Sequence, residues 1–320
     1  MEIAPGIHRI ETPLADRFVC LFLLAGEECS LLIDTGIDST PAEWLFPYMA
    51  ATGLDPEKIR HVLVSHADFD HSAGNASVRE AAPHARFMCH DLDRVMVEDI
   101  ERLIWDRYGE FIADHGIDDG DEAREFIRSN SRTVPMDLTL QGGETIRLGS
   151  DWRVEVLHTP GHSRGHLSVY DARSRTSIIC DATLYNAVLT SAGAPAFPPT
   201  YRYVDTYVSS MARFGGMEVE TLLTGHYPVY RKQEVAEFLA ESRAFVDRVD
   251  EVLMGELKAG SAQGRTMKEV IASISSLLGE WPDTASQALA FPLLGHIERM
   301  ERRGQVEKVR RGDLAAYRAL

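Results

Sequence analysis

Four side chains that can bind a metal ion fall within six residues of this sequence, directly after a short β-branched run, HVLVS. The run predicts a buried strand, and the segment that follows it, HADFDH, spans residues 66–71. Alternate residues of an extended segment point to the same side, so His66 and Asp68 can share one ion. Asp70 and His71 lie where we expect the chain to turn, and they can bind a second ion. The fold must therefore present the end of this strand to further ligands.

Three more polar side chains each follow a predicted strand at its carboxyl end: His162, Asp181 and His226. Open sheets gather their functional sites at the carboxyl ends of their strands, so we expect all these side chains to meet. Their number suits two ions that share one carboxylate. The seven candidate ligands are His66, Asp68, Asp70, His71, His162, Asp181 and His226.

These motifs, preceded by Asp34-Thr35-Gly36, occur in the order that is typical of the metallo-β-lactamase superfamily. The chain resembles this family over roughly residues 5–230. The resemblance implies an α+β fold, the αββα sandwich, with the metal ions at one edge of its two sheets.

The resemblance also implies a role for each ligand. The ligands of the first ion would be His66, Asp68 and His162. The ligands of the second ion would be Asp70, His71 and His226. Asp181 would bridge the two ions, and Asp34 would support the site structurally.

Asp68 departs from the usual family motif, H-x-H-x-D-H, because it takes the position of the second histidine. Acidic variants resemble this one in flavodiiron proteins and in the hydrolase domain of DNA-uptake channels, so ligation is still implied. Two divalent ions, three carboxylates and one hydroxide sum to zero charge, where the usual motif leaves one positive charge. Zinc remains the expected default metal because four imidazoles are still among the ligands. Manganese or iron are the alternatives because a carboxylate is a harder ligand than an imidazole. An Asp68→His variant should favour zinc more strongly and shift the pH–rate profile towards lower pH.

The function that the resemblance implies is metal-dependent hydrolysis. A hydroxide held by two divalent ions is a nucleophile at neutral pH, because coordination lowers the pKa of water to about 7. Asp70 is the expected catalytic residue, which ligates one ion and orients the hydroxide or accepts its proton. The expected substrate is a small ester, thioester, lactone or amide. Two alternatives stay open: a phosphodiesterase or nuclease of the same fold, and a ligand-sensing regulator whose tail binds DNA.

The charge of the chain bears on its partners. It has 33 basic and 49 acidic residues, a formal charge of −16, and the whole acidic excess lies before residue 231. Such a charge argues against nucleic acid as a partner. The sequence lacks a run of roughly 18 apolar residues, a signal-peptide pattern and any C-x-x-C pair. We expect a cytoplasmic protein with a small-molecule substrate and no membrane partner, and homodimer formation is left open.

The change from strand-like to helical sequence patterns near residue 230 predicts two domains. Residues 1–230 are β-rich and form the predicted catalytic domain, interrupted at about residues 90–130 by one or two amphipathic helices. Residues 231–320 predict a long amphipathic helix over Glu234–Met254, then three short helices and a small hairpin at Gln305–Arg310, the order of a winged-helix-like C-terminal domain. We expect residues 262–312 to pack on the catalytic domain or on a partner subunit without reading DNA.

Specificity is expected to lie in residues 93–130, read as a helical lid, and in the loop Ala192–Thr200. The aromatic side chains that suggest a lid are Trp105, Tyr108 and Phe111. Four tyrosines close to the motifs are candidates to line the pocket: Tyr185, Tyr201, Tyr203 and Tyr227. His158 and His166 flank His162 and are interpreted as supporting residues, and Cys180 as a small buried residue.

Overall fold

A computed structural model describes residues 1–260 and 262–320. Apolar alternation and β-branched runs produce short strands, and the central strands of the two main sheets are buried on both faces. In chain order the strands are β1 (Glu2–Ala4), β2 (Ile7–Leu14), β3 (Arg17–Ala25), β4 (Ser30–Ile33), β5 (Ile59–Leu63), β6 (Arg86–His90), β7 (Leu138–Leu140), β8 (Thr145–Arg147), β9 (Arg153–His158), β10 (Leu167–Asp171), β11 (Thr176–Cys180), β12 (Val188–Leu189), β13 (Pro195–Phe197), β14 (Thr221–Thr224), β15 (Tyr230–Arg231), β16 (Arg265–Thr266), β17 (Val306–Arg311) and β18 (Leu314–Ala319).

The helices lie mostly between strands and at the C-terminal end. In chain order they are α1 (Phe46–Thr52), α2 (Phe69–Ser72), α3 (Asn75–Ala81), α4 (Arg94–Glu98), α5 (Ile100–Arg102), α6 (Ile112–His115), α7 (Gly120–Ser129), α8 (Val204–Gly215), α9 (Gln233–Ala259), α10 (Met267–Leu278) and α11 (Ala290–Arg302). Tighter or wider helical turns add Pro41–Leu45, Pro56–Lys58, Leu103–Tyr108 and Asp283–Leu289.

Two sheets face each other across the main core. One has the strand order β1-β2-β3-β4-β5-β6-β7, and the other has the order β15-β14-β11-β10-β9-β8. Side chains such as Phe22 and Ile33 from the first sheet meet Val156 and Ile178 from the second in one buried cluster. Because successive residues of a strand point to opposite faces, the neighbouring residues of β3 and β4 are directed to the outer side of the first sheet.

Helices cover the outer face of each sheet. On the first sheet, Leu23 and Leu32 pack against Met49 of α1 and Val78 of α3. On the second sheet, buried residues of β11 and β14 pack against α8 and α9, including Phe238. The layers are therefore helix, sheet, sheet and helix, and the predicted α+β sandwich of the metallo-β-lactamase type is confirmed.

The parallel pairing of β4, β5, β6 and β7, and of β11 with β14, brings the carboxyl ends of these strands to common edges. Asp34 follows β4, the segment 66–71 lies just beyond β5, and Asp181 directly follows β11. Gly225 follows β14, and a Cβ atom there would lie 2.2 Å from Oδ1 of Asp181. Only glycine therefore lets the chain before His226 approach the Asp181 carboxylate so closely.

The segment 90–130 is helical but more broken than predicted, because it holds four short helices and a wide helical turn instead of one or two helices. Asp99 stops α4 in an extended conformation, and its carboxylate accepts hydrogen bonds from two backbone N–H groups of α5. Gly116 ends α6 in the left-handed region, with φ of 63°. Capping side chains and glycine thus divide a segment whose apolar spacing looks continuous.

The C-terminal part contains the long α9, then α10, α11 and a three-stranded sheet in the order β16-β18-β17. Thr266 and Glu269 form a capping box at the start of α10, which explains where that helix begins. The hairpin is larger than the predicted 305–310, because its second strand runs to residue 319. The order of helices and hairpin is the predicted one, while the winged-helix identity and the domain boundary at residue 230 stay predictions. None of the described helices has the length and hydrophobicity needed to span a bilayer.

Candidate metal centre

The seven predicted ligands meet at the strand ends, and three overlapping groups of them bring one ligand atom per residue within 4.8 Å of one another. The three groups are His66, Asp68 and His162; Asp70, His71 and His226; and His66, His71 and Asp181. The first two are the two ligand sets that the resemblance implies. We call them the first subsite and the second subsite, and Asp181 lies between them.

In the first subsite, Asp68 is the central residue. Its Oδ2 atom lies 2.9 Å from Nε2 of His162 and 3.7 Å from Nε2 of His66. His66 and Ala67 lie in a bend rather than in the predicted extended segment, and α2 begins at Phe69, so the bend places both side chains at the same subsite.

Arg107, a residue that the sequence reasoning missed, contacts this subsite from the helical insertion. Its Nε atom donates to Oδ1 of Asp68, and its Nη2 atom donates to Oδ2 at 2.9 Å. Nη2 also lies 3.0 Å from Nε2 of His162. The guanidinium lowers the pKa of Asp68 well below its usual range against the effect of burial, while burial and then Arg107 lower the pKa of His162 to about 4.

In the second subsite the ligand atoms face one another directly. Nε2 of His71 lies 3.3 Å from Nε2 of His226. Oδ2 of Asp70 lies 3.9 Å from the first of these nitrogens and 3.7 Å from the second. Asp181 places Oδ2 3.1 Å from Nε2 of His226 and Oδ1 3.6 Å from Nε2 of His71.

Hydrogen bonds to the far side of each ring orient the histidines. Oδ2 of the buried Asp34 lies 2.8 Å from Nδ1 of His71 and accepts from Oγ of Ser65 at 2.8 Å. The same Ser65 oxygen lies 2.9 Å from Nδ1 of His66, and Nδ1 of His226 lies 2.9 Å from the Phe18 carbonyl oxygen. Since acceptors face all three Nδ1 atoms, Nδ1 carries a proton and each Nε2 is directed into the cluster.

This arrangement fits divalent cations. Nε2 of His71 and Nε2 of His226 lie only 3.3 Å apart, and Nε2 of His66 and Oδ1 of Asp181 are buried without a hydrogen-bond partner in the described part of the chain. Burial alone would lower the pKa of His71, yet the carboxylates of Asp181, Asp70 and Asp34 raise it to about 10. The cluster therefore favours positive charge, which metal ions would supply.

Supporting residues hold the loops that carry the ligands. His166 lies 3.0 Å from Oγ1 of Thr159, and its Nε2 accepts the N–H of Asp181 at 3.2 Å, so it orients a ligand segment as one alternative predicted. Asp93, which the sequence did not single out, accepts from Oγ of Ser163 at 2.5 Å and from the N–H of Gly165 at 2.8 Å. Asp93 thereby ties the beginning of the insertion to the loop of His162.

A cavity of about 140 Å³ opens over the cluster. Its floor contains five of the ligands, and apolar side chains dominate its walls. The wall residues are Leu14, Arg17, Phe69, Arg107, Tyr108, Val188, Phe197, Thr200 and Phe291.

The lid prediction is accurate for one of its three aromatic residues. Tyr108 lines the cavity, and its hydroxyl accepts the N–H of Phe69 at 3.3 Å. Trp105 is half exposed, and Phe111 packs instead against Phe291 of the C-terminal part, with ring centroids 4.8 Å apart. Among the described residues that line this cavity, Tyr108 is the tyrosine; of the four candidate tyrosines near the motifs, Tyr203 lines the neighbouring cavity instead and the other three line neither. They lie elsewhere because packing against α8 and α9 buries two of them, Tyr201 and Tyr227.

Phe291 and Thr200 show that the cavity needs distant parts of the chain. Phe291 belongs to α11 and completes the wall from the C-terminal part, which packs on the catalytic part as predicted. Arg202 anchors this packing, because its guanidinium binds both Glu110 and Glu298 at 2.7–2.9 Å. Phe197 and Thr200 come from the predicted specificity loop.

Comparisons with known proteins agree with this geometry. A family model described as metallo-beta-lactamase superfamily matches residues 16–226. The acyl-coenzyme A thioesterase MBLAC2 of Bos taurus is 27% identical over 225 residues, which are 66% of this chain and 73% of that protein. A hydroxyacylglutathione hydrolase of Rhodospirillum rubrum is 24% identical over 181 residues, 57% of this chain and 52% of that protein.

Among solved structures, the metallo-beta-lactamase family protein TTHA1429 from Thermus thermophilus superposes with a TM-score of 0.76 at 21% identity. The superposition covers 99% of this chain and 100% of that chain. The likeness in fold therefore includes the C-terminal part as well as the two sheets.

Proposed function

The chain belongs to the metallo-β-lactamase superfamily and is a metal-dependent hydrolase, and we propose that it cleaves acyl thioesters at a centre of two divalent ions. The observation that supports this proposal is the lining of the cavity, which has mostly apolar side chains on its sides and carboxylates and imidazoles at its base. Such walls suit an acyl chain, while the reacting carbonyl group would lie on the polar floor.

The bound ions, zinc by default, would supply Lewis-acid activation of water and of the substrate carbonyl group. The chain's own residues would do the remaining work. Asp70 is oriented towards the second subsite and would position the attacking water and accept its proton. Tyr108 and the apolar residues of the wall would hold the acyl group and exclude bulk water from the reacting carbonyl.

The leaving group favours a thioester over an amide. A thiol has a pKa of about 8.5, so a thiolate leaves near neutral pH without a proton from the protein. An amine leaving group needs a general acid, and burial together with nearby carboxylates raises the pKa of Tyr108 well above its usual range, which makes it a poor one. Two relatives that carry thioester-type names, the thioesterase and the hydroxyacylglutathione hydrolase, support the same choice.

The test uses purified full-length protein that has been reconstituted with zinc or manganese. Thiol release from acetyl-, octanoyl- and palmitoyl-coenzyme A and from S-lactoylglutathione is compared with hydrolysis of an octanoyl oxygen ester, a lactone and a phosphodiester. We expect the highest kcat/KM on one of the thioesters. Asp70→Asn should lower it by on the order of 10²–10³-fold, as expected for a lost catalytic acid–base group, whereas Asp151→Asn, an exposed residue in a turn, serves as the matched control.

Cleavage of the phosphodiester in preference to every thioester would contradict the proposal and favour the phosphodiesterase alternative. For a nucleic-acid strand that outcome is unexpected, because each of its many phosphodiester groups carries a negative charge and the acidic catalytic part would repel the strand.

A further inference from the structure

Arg107 makes hydrogen bonds to the atoms that the first subsite would offer to a metal ion. Its guanidinium donates to both carboxylate oxygens of Asp68, and the Nη2 atom is also 3.0 Å from Nε2 of His162. Two of the three ligands of this subsite are therefore engaged by a positively charged side chain of the same protein.

Burial and contacts with neighbouring residues fix the position of the Arg107 side chain. The side chain is 6% exposed, and its guanidinium lies 5.1 Å from the ring centroid of Phe291. A further nitrogen donates to the carbonyl oxygen of His162 at 3.3 Å. The next residue, Tyr108, is tied to the N–H of Phe69. Packing against Phe291 of the C-terminal part and hydrogen bonds to the loops of His162 and Phe69 thus hold the guanidinium next to Asp68.

The second subsite has no comparable cation. Among the residues that the structure describes, no lysine or arginine forms an ion pair with Asp70 or Asp181. The two subsites offer similar ligand types, yet among the described residues an arginine pairs with a ligand carboxylate at the first subsite only.

We propose that Arg107 competes with the first metal ion for Asp68 and His162, so that the second subsite binds its ion tightly and the first binds its ion weakly. A guanidinium and a divalent ion cannot use the same lone pairs, and like charges repel strongly where water is excluded. Binding at the first subsite therefore requires the guanidinium to leave those atoms. The proposal rests on the ligand roles within the proposed function and is independent of the substrate.

The structure offers the displaced side chain another position. Arg107 also lines a second cavity, of about 360 Å³, on the side of the insertion. Asp106 and Glu110 line the same cavity, where they pair with Arg102 and Arg202, and their carboxylates would also receive the displaced guanidinium. Arg107 thus stands between the cavity over the ligands and an outer cavity. Movement of Arg107 would join them, so the first ion and the opening of the insertion would be coupled.

The experiment measures metal binding without any substrate. Protein that has been treated with chelator is titrated with zinc and with cobalt, and the affinities are read from calorimetry, from competition with a fluorescent chelator and from the cobalt absorption spectrum. We expect two steps in the parent protein, with dissociation constants at least 10-fold apart. Arg107→Met should tighten the weaker step at least 10-fold and leave the tighter step within 2-fold.

Two further variants separate the possible causes. Arg107→Lys keeps the charge but loses the planar fork, so it should tighten the weaker step less than Arg107→Met does. Arg128→Met is the matched control, because Arg128 belongs to the same insertion and pairs with Glu101 without lining either cavity. It should leave both steps unchanged. A weaker step that is unchanged or loosened in Arg107→Met would overturn the proposal, as would two equal steps in the parent.

A measurement on the parent protein guards against a variant that fails to fold. Amide hydrogen exchange in residues 103–108 should stay constant during the first equivalent of metal and rise during the second. Exchange that is constant throughout would overturn the proposal. Loss of the predicted thioesterase activity with these isotherms intact would contradict the proposed function and leave the competition standing.

Discussion

The two subsites use the same kinds of side chain but are supported in opposite ways. Around the second subsite, Asp34 accepts from the ring of His71, and three carboxylates surround that ring. Around the first subsite, Arg107 pairs with Asp68 and reaches His162. Carboxylates therefore surround the second subsite, whereas at the first subsite the guanidinium of Arg107 pairs with the carboxylate of Asp68.

This difference corrects a count made from the sequence. With Asp68 in place of a histidine, the ligands, two divalent ions and one hydroxide sum to zero charge. Arg107 supplies one positive charge beside Asp68 while the first subsite is without its ion. The acidic substitution and the arginine thus act as a pair, and a change in metal preference cannot be argued from Asp68 alone.

The largest expected effect comes from the second subsite. His226→Ala should remove one ion from the protein and lower kcat/KM by on the order of 10³-fold, because a bound ion contributes several kcal/mol to the reaction. Metal analysis and thioester kinetics measure the two effects. His162→Ala in the first subsite should lose less activity, and the exposed His84→Ala is the control. Equal losses in His226→Ala and His162→Ala would remove the contrast between the subsites.

A smaller effect is expected on folding when the buried pair is broken. Asp68→His leaves the guanidinium of Arg107 buried without its carboxylate, which should reduce the free energy of unfolding by about 3 kcal/mol. Chemical denaturation measures this loss, and the double variant Asp68→His with Arg107→Met should recover most of it. If the single variant is as stable as the parent, the pair does not compensate charge. In the double variant, the predicted shift of the pH–rate profile towards lower pH can then be tested.

The smallest expected effect comes from the groups behind the ligands. Asp34→Asn should weaken metal binding at the second subsite by roughly 10–100-fold, because it loses an acceptor for the ring of His71. Asp93→Asn should loosen the first subsite instead, through the loop of His162. Metal titration distinguishes the two, and Asp151→Asn again serves as the control. An effect of Asp34→Asn on both subsites alike would show that Ser65 transmits the change to His66.

Much of the centre is predictable because each ligand directly follows a strand or its turn. Strand ends in parallel pairs meet at one edge, so local patterns around His66, Asp181 and His226 contain enough information to bring them together. Arg107 and Asp93 carry no such signal. Both lie in an acidic segment of irregular helices. Arg107 contacts Asp68, which is 39 residues away in sequence, and Asp93 contacts Ser163, which is 70 residues away. The breaks in that segment depend on capping contacts of Asp99 and on Gly116, which apolar spacing does not reveal.

The wall formed by Phe291 has a consequence for the order in which the site is made. Synthesis reaches the last ligand, His226, well before Phe291, which lies 65 residues further along the chain. At about 5–20 residues per second, the ribosome needs several more seconds to add that stretch. A nascent chain therefore contains every proposed ligand while the pocket above them still lacks one side, and the wall that contacts the substrate is the last part of the site to be synthesised.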